Sequence, residues 1–131
     1  TKEKPVKTSA DVKTISTLTP NFEIKLDANG NPVNYKSKTT VRATAYTYTG
    51  NNCSTGVAPQ PGYIAVNPKV IPYGTKMYIK SADGSIVYGY AVAADTGGFI
   101  RRYPNGIDLF MSTQSACTSF GVRNMEVYIL E

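Results

Sequence analysis

Two stretches decide the fold of this chain: Ala91-Val-Ala-Ala-Asp-Thr-Gly-Gly-Phe-Ile100 and, one short loop later, Ile107-Asp-Leu-Phe110. Each is an apolar run that carries a single aspartate. The first is typical of a buried strand that ends at its aspartate, because glycines follow it. In the second, alternation places Asp108 on the same strand face as Phe110, which indicates a partly buried carboxyl with a raised pKa.

The segments around these stretches have the composition of short strands and turns. Runs rich in Val, Ile, Thr and Tyr alternate with Pro, Gly and Asn. A helix is predicted over residues 112–119, with Ser112 as N-cap and Gly121 as C-cap. About six strands with one helix are typical of a small β-barrel. The predicted strands are residues 40–46, 63–66, 76–79, 86–94, 107–110 and 125–130.

The N-terminal part of the chain has a different pattern. Residues 22–26 alternate as a strand, residues 27–32 form a turn, and residues 33–35 form a possible second strand of a hairpin. We interpret residues 1–38 as a linker and β-hairpin, which would also suit the tail of an upstream module. Residues 39–131 are the predicted barrel domain.

Length and charge limit the classes of partner. A chain of 131 residues suits one domain with a hydrophobic core. No Lys/Arg run reaches the length of a nucleic-acid patch, and no apolar run is long enough to span a bilayer. We therefore expect no nucleic-acid partner and no membrane insertion. The formal net charge of +5 would suit a polyanionic partner such as nucleic acid or an anionic cell wall, but charge alone favours neither over simple solubility.

The absence of histidine limits the chemistry. It removes Ser-His-Asp triads, Cys-His pairs and histidine metal sites, and no phosphate-binding glycine loop is present. We expect no metal and no cofactor. Aspartate and glutamate remain as the acid/base groups, with nine in the chain.

The two cysteines, Cys53 and Cys117, lie far apart in the sequence and form no local CxxC motif. A long-range disulfide would fit an oxidising compartment, and two inert buried thiols are the alternative. The position of Cys53 in a polar loop favours the disulfide, because a free thiol gains little from burial there.

Asp95 and Asp108 are the carboxylates with the strongest claim to a chemical role. Asp95 is expected at the end of a buried strand, next to glycines that lack side chains and so let a ligand approach the backbone. A protonated Asp108 would suit a general acid for glycosidic cleavage. The alternative for each is structural, since Asp95 could form a turn and Asp108 could accept a structural hydrogen bond.

The two stretches together resemble the 3D domain family, which is named for three aspartates. Residues 43–46 (Ala-Thr-Ala-Tyr) and 64–74 (Ile-Ala-Val-Asn-Pro-Lys-Val-Ile-Pro-Tyr-Gly) extend the resemblance, which covers residues 41–130. The family is similar to the catalytic part of MltA-type lytic transglycosylases and to stationary-phase survival proteins. The resemblance implies a six-stranded double-psi β-barrel, secretion to the cell wall, and action on peptidoglycan glycan strands. It also implies that residues 1–38 could be the tail of an upstream wall-binding module.

The resemblance also assigns roles to individual residues. Asp108 matches the aspartate taken as the catalytic acid/base, and Asp95 matches a second aspartate of the same cleft. Asn67 stands where the family has its first aspartate, and an amide cannot ionise. The loop of residues 101–106 is longer than the family's usual link.

Several other residues are candidates for substrate binding. Gly97 and Gly98 would let a sugar approach the backbone, and Arg101 with Arg102 could pair with stem-peptide or lactyl carboxylates. A solvated loop is the alternative for the arginines, and core packing is the alternative for the aromatic residues. The aromatic candidates for stacking on sugars are Tyr46, Tyr73, Phe99 and Tyr103.

The leading functional hypothesis is a peptidoglycan lytic transglycosylase that forms 1,6-anhydroMurNAc. A non-catalytic, expansin-like wall-binding module and a muramidase-type hydrolase are the alternatives. The hydrolase would need a second carboxylate to activate water, and Asp95 is the obvious candidate. The sequence leaves a monomer and a strand-swapped dimer both open.

Overall fold

The structure is a computed structural model that describes residues 7–8, 14–18, 20, 22, 24–28, 30–33, 35–47, 53, 55–82, 84–97 and 101–130. Within these residues the helix α1 spans Gln114–Phe120. It is short, and no helix in the described ranges is long and apolar enough to cross a membrane. The strands are β1 (Lys7–Thr8), β2 (Lys25–Leu26), β3 (Ser37–Tyr46), β4 (Tyr63–Ala65), β5 (Lys76–Lys80), β6 (Val87–Asp95), β7 (Ile107–Phe110) and β8 (Arg123–Ile129).

Strands β3 to β8 form a closed barrel in the order β3-β7-β4-β6-β5-β8. The barrel closes where β8 pairs antiparallel with β3, from Ser37 opposite Ile129 to Ala43 opposite Arg123. Closure leaves no unpaired sheet edge in the barrel. The predicted mainly-β fold, a six-stranded double-psi barrel with one short helix, is confirmed.

Alternation along the strands sends one set of side chains into the barrel. Ile64, Met77, Leu109 and Val127 are fully buried in this interior core. The apolar face of α1 joins the same core through Cys117 and Phe120, which closes one side of it. Side chains at the alternate positions therefore face outwards, and the candidate site lies among them.

Part of the outer barrel face is covered by the described residues between 14 and 33, which we call the N-terminal cover. Ser16 N–H donates to the Tyr88 carbonyl of β6 at 2.7 Å. Ile24 and Leu26 pack in a second hydrophobic cluster with Tyr78 and Tyr128. The cover and the barrel wall thus share a core, and β3 begins at Ser37 directly after the cover.

Two glycines allow the N-terminal cover to approach the barrel. Gly62 and Gly89 have φ angles of 120° and 96°, a region that side chains rarely adopt. A Cβ on Gly89 would lie 2.7 Å from the Thr14 Cβ, and a Cβ on Gly62 would collide with Leu18. Any side chain at these positions would force the cover away from the barrel.

Two local predictions differ from the structure. The hairpin partner expected at residues 33–35 is wrong, since Val33 and Tyr35 lie outside any strand and β2 pairs with β1. Of the expected hairpin, the described residues keep one antiparallel bridge between Leu26 and Pro32, with backbone hydrogen bonds from Asp27 N–H to the Asn31 carbonyl at 2.9 Å and from Val33 N–H to the Lys25 carbonyl at 3.0 Å. Pro32 itself cannot donate to a ladder.

The N-terminal end of α1 also differs from the prediction. The N-cap is Thr113 rather than Ser112, and its hydroxyl accepts from Ala116 N–H at 3.0 Å. Ser and Thr are both good N-caps, so the sequence alone did not separate two adjacent candidates. Gly121 is the C-cap as predicted.

Tyr88 ties three parts of the barrel together through one buried hydroxyl. It donates to the Phe110 carbonyl at 2.8 Å and accepts from Gly62 N–H at 2.7 Å. Tyr88 lies where the β5–β6 register shifts, opposite the step from Ile79 to Lys80. The hydroxyl therefore links β6 to the end of β7 and to the loop that enters β4.

We predict that Tyr88→Phe lowers the free energy of unfolding by about 2–4 kcal/mol, because it leaves two buried backbone groups without a partner. Urea denaturation measures the change. Tyr78→Phe is the matched control: Tyr78 is equally buried, but its hydroxyl has no partner among the described residues. Equal losses in the two variants would contradict the proposed role of the Tyr88 hydroxyl.

Candidate active site

Four residues on four adjacent strands form one row across the barrel wall. Thr44 of β3 lies opposite Asp108 of β7. On the other side of β7, Asp108 lies opposite Ala65 of β4, which in turn lies opposite Asp95 at the end of β6. Paired residues share a face of a sheet, so the two aspartates flank Ala65. We call these four residues the aspartate row.

An irregularity in the pairing of β4 with β6 places Asp95 in this row. Ile64 pairs with Ala93, so a regular parallel ladder would set Ala65 opposite Ala94. The register shifts between Ile64 and Ala65, and Asp95 takes that place instead. Such bulges re-aim side chains and are frequent beside active sites.

Asp108 is a half-buried carboxyl on the outer face of the barrel. Its neighbours Ile107 and Leu109 point into the core. Thr44 Oγ1 donates to Asp108 Oδ1 at 2.9 Å. Burial raises the pKa of Asp108 to about 6, the Thr44 hydrogen bond opposes the rise, and the charge of Asp95 adds to it. The raised pKa expected from the sequence is confirmed.

Tyr46, at the end of β3, has a buried hydroxyl on which the charges of both aspartates act. Its ring packs edge-on against Phe110, with 5.4 Å between ring centroids. Burial, and then the charges of Asp95 and Asp108 among others, hold the pKa of the Tyr46 phenol far above its usual range. The hydroxyl is therefore a neutral donor, and it has no hydrogen-bond partner among the described residues.

Asp95 lies at the start of the glycine-rich turn that sequence reasoning selected. Its Oδ1 accepts from Thr96 N–H at 2.8 Å, and the Thr96 hydroxyl is buried without a partner in the described part of the chain. Gly97 follows, half-buried and outside any strand. Gly98 and Phe99, also predicted to contact substrate, lie outside the described residues.

Asn67 uses its side chain to build the turn after β4. Its Oδ1 accepts from Lys69 N–H at 3.1 Å, and its carbonyl accepts from the N–H groups of Val70 and Ile71 at 2.9 Å each. An amide performs this role as well as a carboxylate does. Asn67 is two residues beyond Ala65 in the chain, so it borders the aspartate row without being paired in it.

The candidate binding residues in the loop after the glycine-rich turn differ in their exposure. Arg101 and Arg102 are exposed, whereas Tyr103 is half-buried beneath the guanidinium of Arg42, which lies 3.7 Å from its ring centroid. Tyr73 is 40% exposed on the loop before β5. Tyr103 thus contacts β3, while the two loop arginines are exposed to solvent.

The cysteines are free thiols, so the disulfide favoured from the sequence is wrong for this structure. The premise fails because Cys53 is 4% exposed rather than open to solvent. Burial, with the charge of Asp95, raises the pKa of Cys53. Burial, with the charge of Asp108, raises the pKa of Cys117. The two thiols are held near different aspartates and are inert as nucleophiles.

Sequence reasoning missed three residues beside the aspartates: Thr44, Thr96 and Arg42. Thr44 belongs to the Ala-Thr-Ala-Tyr segment, but only the pairing of β3 with β7 brings it to Asp108. Thr96 follows Asp95 and could have been found from its position. Arg42 carried no local signal, because its partner Tyr103 is far away in the chain.

A second concave region lies away from the aspartates. It is a groove of about 460 Å³ between the start of β3 and the loop before β5. Neither aspartate contributes to it. Its lining residues are Lys36, Val70, Ile71, Pro72, Gly74, Thr75, Lys76, Ile129 and Leu130.

The aspartate site has the parts needed for acid catalysis on a polar substrate. One carboxyl has a pKa near neutrality, a second carboxylate lies across Ala65, and two hydroxyls have no partner among the described residues. Buried polar groups normally find partners, so these hydroxyls suit contact with bound hydroxyl groups or water. In the described part of the chain, no three Cys, Asp or Glu side chains converge on a metal position.

The chain belongs to the 3D domain family, whose model matches residues 62–131, more than half of the chain. The matched range contains β4 to β8 and α1, and with them both aspartates. Strand β3, which supplies Thr44 and Tyr46, precedes it.

Two relatives come from Bacillus subtilis (strain 168). The cell wall-binding protein YocH is 37% identical over 116 residues, covering 82% of this chain and 38% of that protein. YabE is 39% identical over 99 residues, covering 70% of this chain and 22% of that protein. The chain therefore spans less than two fifths of the length of either relative.

Solved structures of MltA from E. coli share the fold. The crystal structure of MltA matches with a TM-score of 0.51 at 15% identity, over 64% of this chain and 28% of MltA. An MltA variant in its apo-2 form matches with a TM-score of 0.52 at the same identity and coverage. At this identity the likeness concerns the fold alone.

We predict opposite pKa shifts for Asp108 when its two polar neighbours are changed. Thr44→Val removes a hydrogen bond to the carboxylate and raises the pKa of Asp108 above about 6. Asp95→Asn removes a like charge and lowers the pKa of Asp108, although burial keeps that pKa above its usual range. A carboxyl ¹³C NMR titration measures both, with exposed Thr40→Val on the same strand as control. Shifts of the same sign would contradict the assignment.

The raised pKa of Asp108 also predicts a pH-dependent stability. A carboxyl whose pKa is higher in the folded state destabilises the fold as pH rises from about 4 through about 6. Asp108→Asn, which cannot ionise, is therefore expected to match the unmodified protein at pH 4. By pH 7.5 the free energy of unfolding of Asp108→Asn should exceed that of the unmodified protein by up to about 3 kcal/mol. Urea denaturation at the two pH values tests this.

Glu126→Gln is the control of opposite sign. Burial raises the pKa of Glu126, but hydrogen bonds and charges from Lys38 and Lys80 outweigh that effect and lower it. Glu126 therefore stabilises the fold above its usual pKa, and that contribution is lost as the pH falls through its folded pKa. Glu126→Gln should thus lose stability relative to the unmodified protein as pH rises. The same pH trend in both variants would refute the Asp108 assignment.

Proposed function

We propose that this chain is a peptidoglycan lytic transglycosylase that cleaves the MurNAc–GlcNAc β-1,4 bond with Asp108 as its acid and base. The single observation that carries the proposal is the half-buried Asp108 carboxyl, whose pKa is raised to about 6. Such a group is protonated often enough near neutrality to act as an acid, and ionises readily enough to act as a base. Membership of the 3D domain family supports the assignment.

In the proposed reaction Asp108 acts twice. It first gives its proton to the bridging oxygen, which leaves with the electron pair of the C1–O bond while MurNAc C1 gains oxocarbenium character. The Asp108 carboxylate then takes the proton of the MurNAc C6 hydroxyl, and that oxygen bonds to C1. The products are a GlcNAc hydroxyl end and a 1,6-anhydroMurNAc end, and the acid is regenerated. No water is consumed.

The neighbouring residues have supporting roles in this proposal. Thr44 orients the Asp108 carboxyl through its hydrogen bond. The negative charge of Asp95 raises the pKa of Asp108 and would stabilise positive charge at C1. The buried hydroxyls of Tyr46 and Thr96 would donate to sugar oxygens beside the bond that breaks.

Two observations favour other functions for the same site. The relative YocH is named a cell wall-binding protein, which fits a binding module built on this fold. Asp95, across Ala65 from Asp108, could instead activate a water molecule in a hydrolase. In either alternative the partner is a peptidoglycan glycan strand at the cell wall, which implies a secreted protein.

Mass spectrometry of soluble products from purified peptidoglycan tests the proposal. We expect muropeptides that end in 1,6-anhydroMurNAc, and a loss of about 10²–10⁴-fold in their rate of release by Asp108→Ala. The rate should also fall as pH rises through about 6, because the first step needs protonated Asp108.

The other products distinguish the alternatives. Reducing MurNAc ends would indicate a hydrolase, and Asp95→Asn should then abolish them. Wall binding without any product would indicate a binding module. Thr40→Val, an exposed change on the same strand, is the control for effects on folding.

A further inference from the structure

Arg42 and Tyr103 form a stacked pair beside the aspartate row, which we call the arginine–tyrosine platform. The guanidinium carbon of Arg42 lies 3.7 Å from the centre of the Tyr103 ring, over its face. Both residues are half-buried. A guanidinium stacked on a ring keeps its N–H groups at the edge, where they can bind a carboxylate in bidentate fashion.

The platform is held rigidly by the backbone around it. Gly106 N–H donates to the Tyr103 carbonyl at 2.9 Å, which closes the turn after the ring. A Cβ on Gly106 would lie 3.3 Å from the Arg42 carbonyl and 3.2 Å from the Tyr103 carbonyl. The backbone of the loop therefore packs closely against β3 beside Arg42.

Arg42 is on the same side of the barrel wall as the candidate acid. Its neighbour Ala43 points into the core, so Arg42 and Thr44 face outwards together. Their Cα atoms are about 7 Å apart, two residues along a strand. Thr44 contacts Asp108, so an anion on the platform would belong to a substituent near the bond that breaks.

Among the described residues, no carboxylate forms a salt bridge with Arg42. The salt bridges of the described residues join Glu126 to Lys38 and Lys80, on a different part of the barrel. Arg102, 5.8 Å from the same ring, adds a second positive charge. The platform is thus a positive, flat surface whose complement is a carboxylate.

We infer that the arginine–tyrosine platform binds a stem-peptide carboxylate of peptidoglycan and thereby selects peptide-bearing strands over neutral glycan. The inference rests on the proposed function for its choice of polymer, and it adds the specificity of the site. The platform combines β3 with the loop of residues 101–106. Its ligand is the substituent on MurNAc rather than the sugar that reacts.

Isothermal titration in an Asp108→Asn background tests the inference without turnover. The probes are a GlcNAc–MurNAc tetrasaccharide with free tripeptide stems, the same tetrasaccharide with its carboxyls converted to methyl amides, and chitotetraose. We expect the free-carboxyl form to bind about tenfold more tightly than the other two. Adding Arg42→Met should remove that preference, and Arg42→Lys should keep only part of it because lysine lacks the planar fork.

Lys76→Met is the matched control, because it removes an equal charge from another cation–aromatic pair, 5.6 Å from the Phe22 ring. It should leave the preference unchanged. The inference is overturned if the unmodified site binds the free and amidated forms equally, if no probe binds, or if folded Arg42→Met keeps the preference. Should Arg42→Met not fold, Tyr103→Leu replaces it, with the same expected loss.

The outcome is separable from that of the proposed reaction. A carboxylate preference in a chain that releases no anhydro products would refute the reaction and support the platform. Release of anhydro products at equal rates from free and amidated strands would refute the platform alone.

Discussion

The site depends on the position of β4, a strand of only three residues between β6 and β7. Its pairing partners are distant in the chain, and Ala65 is the point where both ladders meet. A small side chain there lets carboxylates from either side share one face. Moving β4 by one residue would turn Ala65 towards the core and place a neighbouring side chain between the aspartates, because successive side chains of a strand point to opposite faces. The pair of aspartates is therefore a consequence of register.

The burial of Asp108 lowers the stability of the fold, and the need for a protonated acid explains that burial. Asp108 is half-buried, and burial is the main cause of its raised pKa. An ionised carboxyl in that position destabilises the fold, while a protonated one can act as an acid. Thr44 limits the effect with a hydrogen bond, and the Tyr88 hydroxyl anchors the Phe110 end of the same strand. Hydrogen bonds from other strands thus hold Asp108 in a position that lowers the stability of the fold.

Asn67 builds the turn after β4 with an amide, where a carboxylate would serve equally well. Its amide oxygen forms the turn bond that an aspartate would form, so the path from β4 to β5 does not need the charge. The charge itself is lost, which leaves Asp95 as the carboxylate that acts on Asp108. An amide at this position therefore builds the turn without adding a charge to the site.

The sequence by itself determined the local elements and the two aspartates. Alternation, turn residues and the helix cap Gly121 act within a few residues, so strands β3 to β8 and the partly buried Asp108 could be predicted from them. It did not separate Thr113 from Ser112 as N-cap, because both residue types cap well.

Tertiary structure decided which residues meet. The bulge that selects Asp95 over Ala94, the Thr44 bond to Asp108 and the Arg42 stack on Tyr103 all join strands or loops that are remote in the chain. The free state of Cys53 and the N-terminal cover belong to the same class. Such contacts depend on register and closure of the whole barrel, which no local pattern encodes.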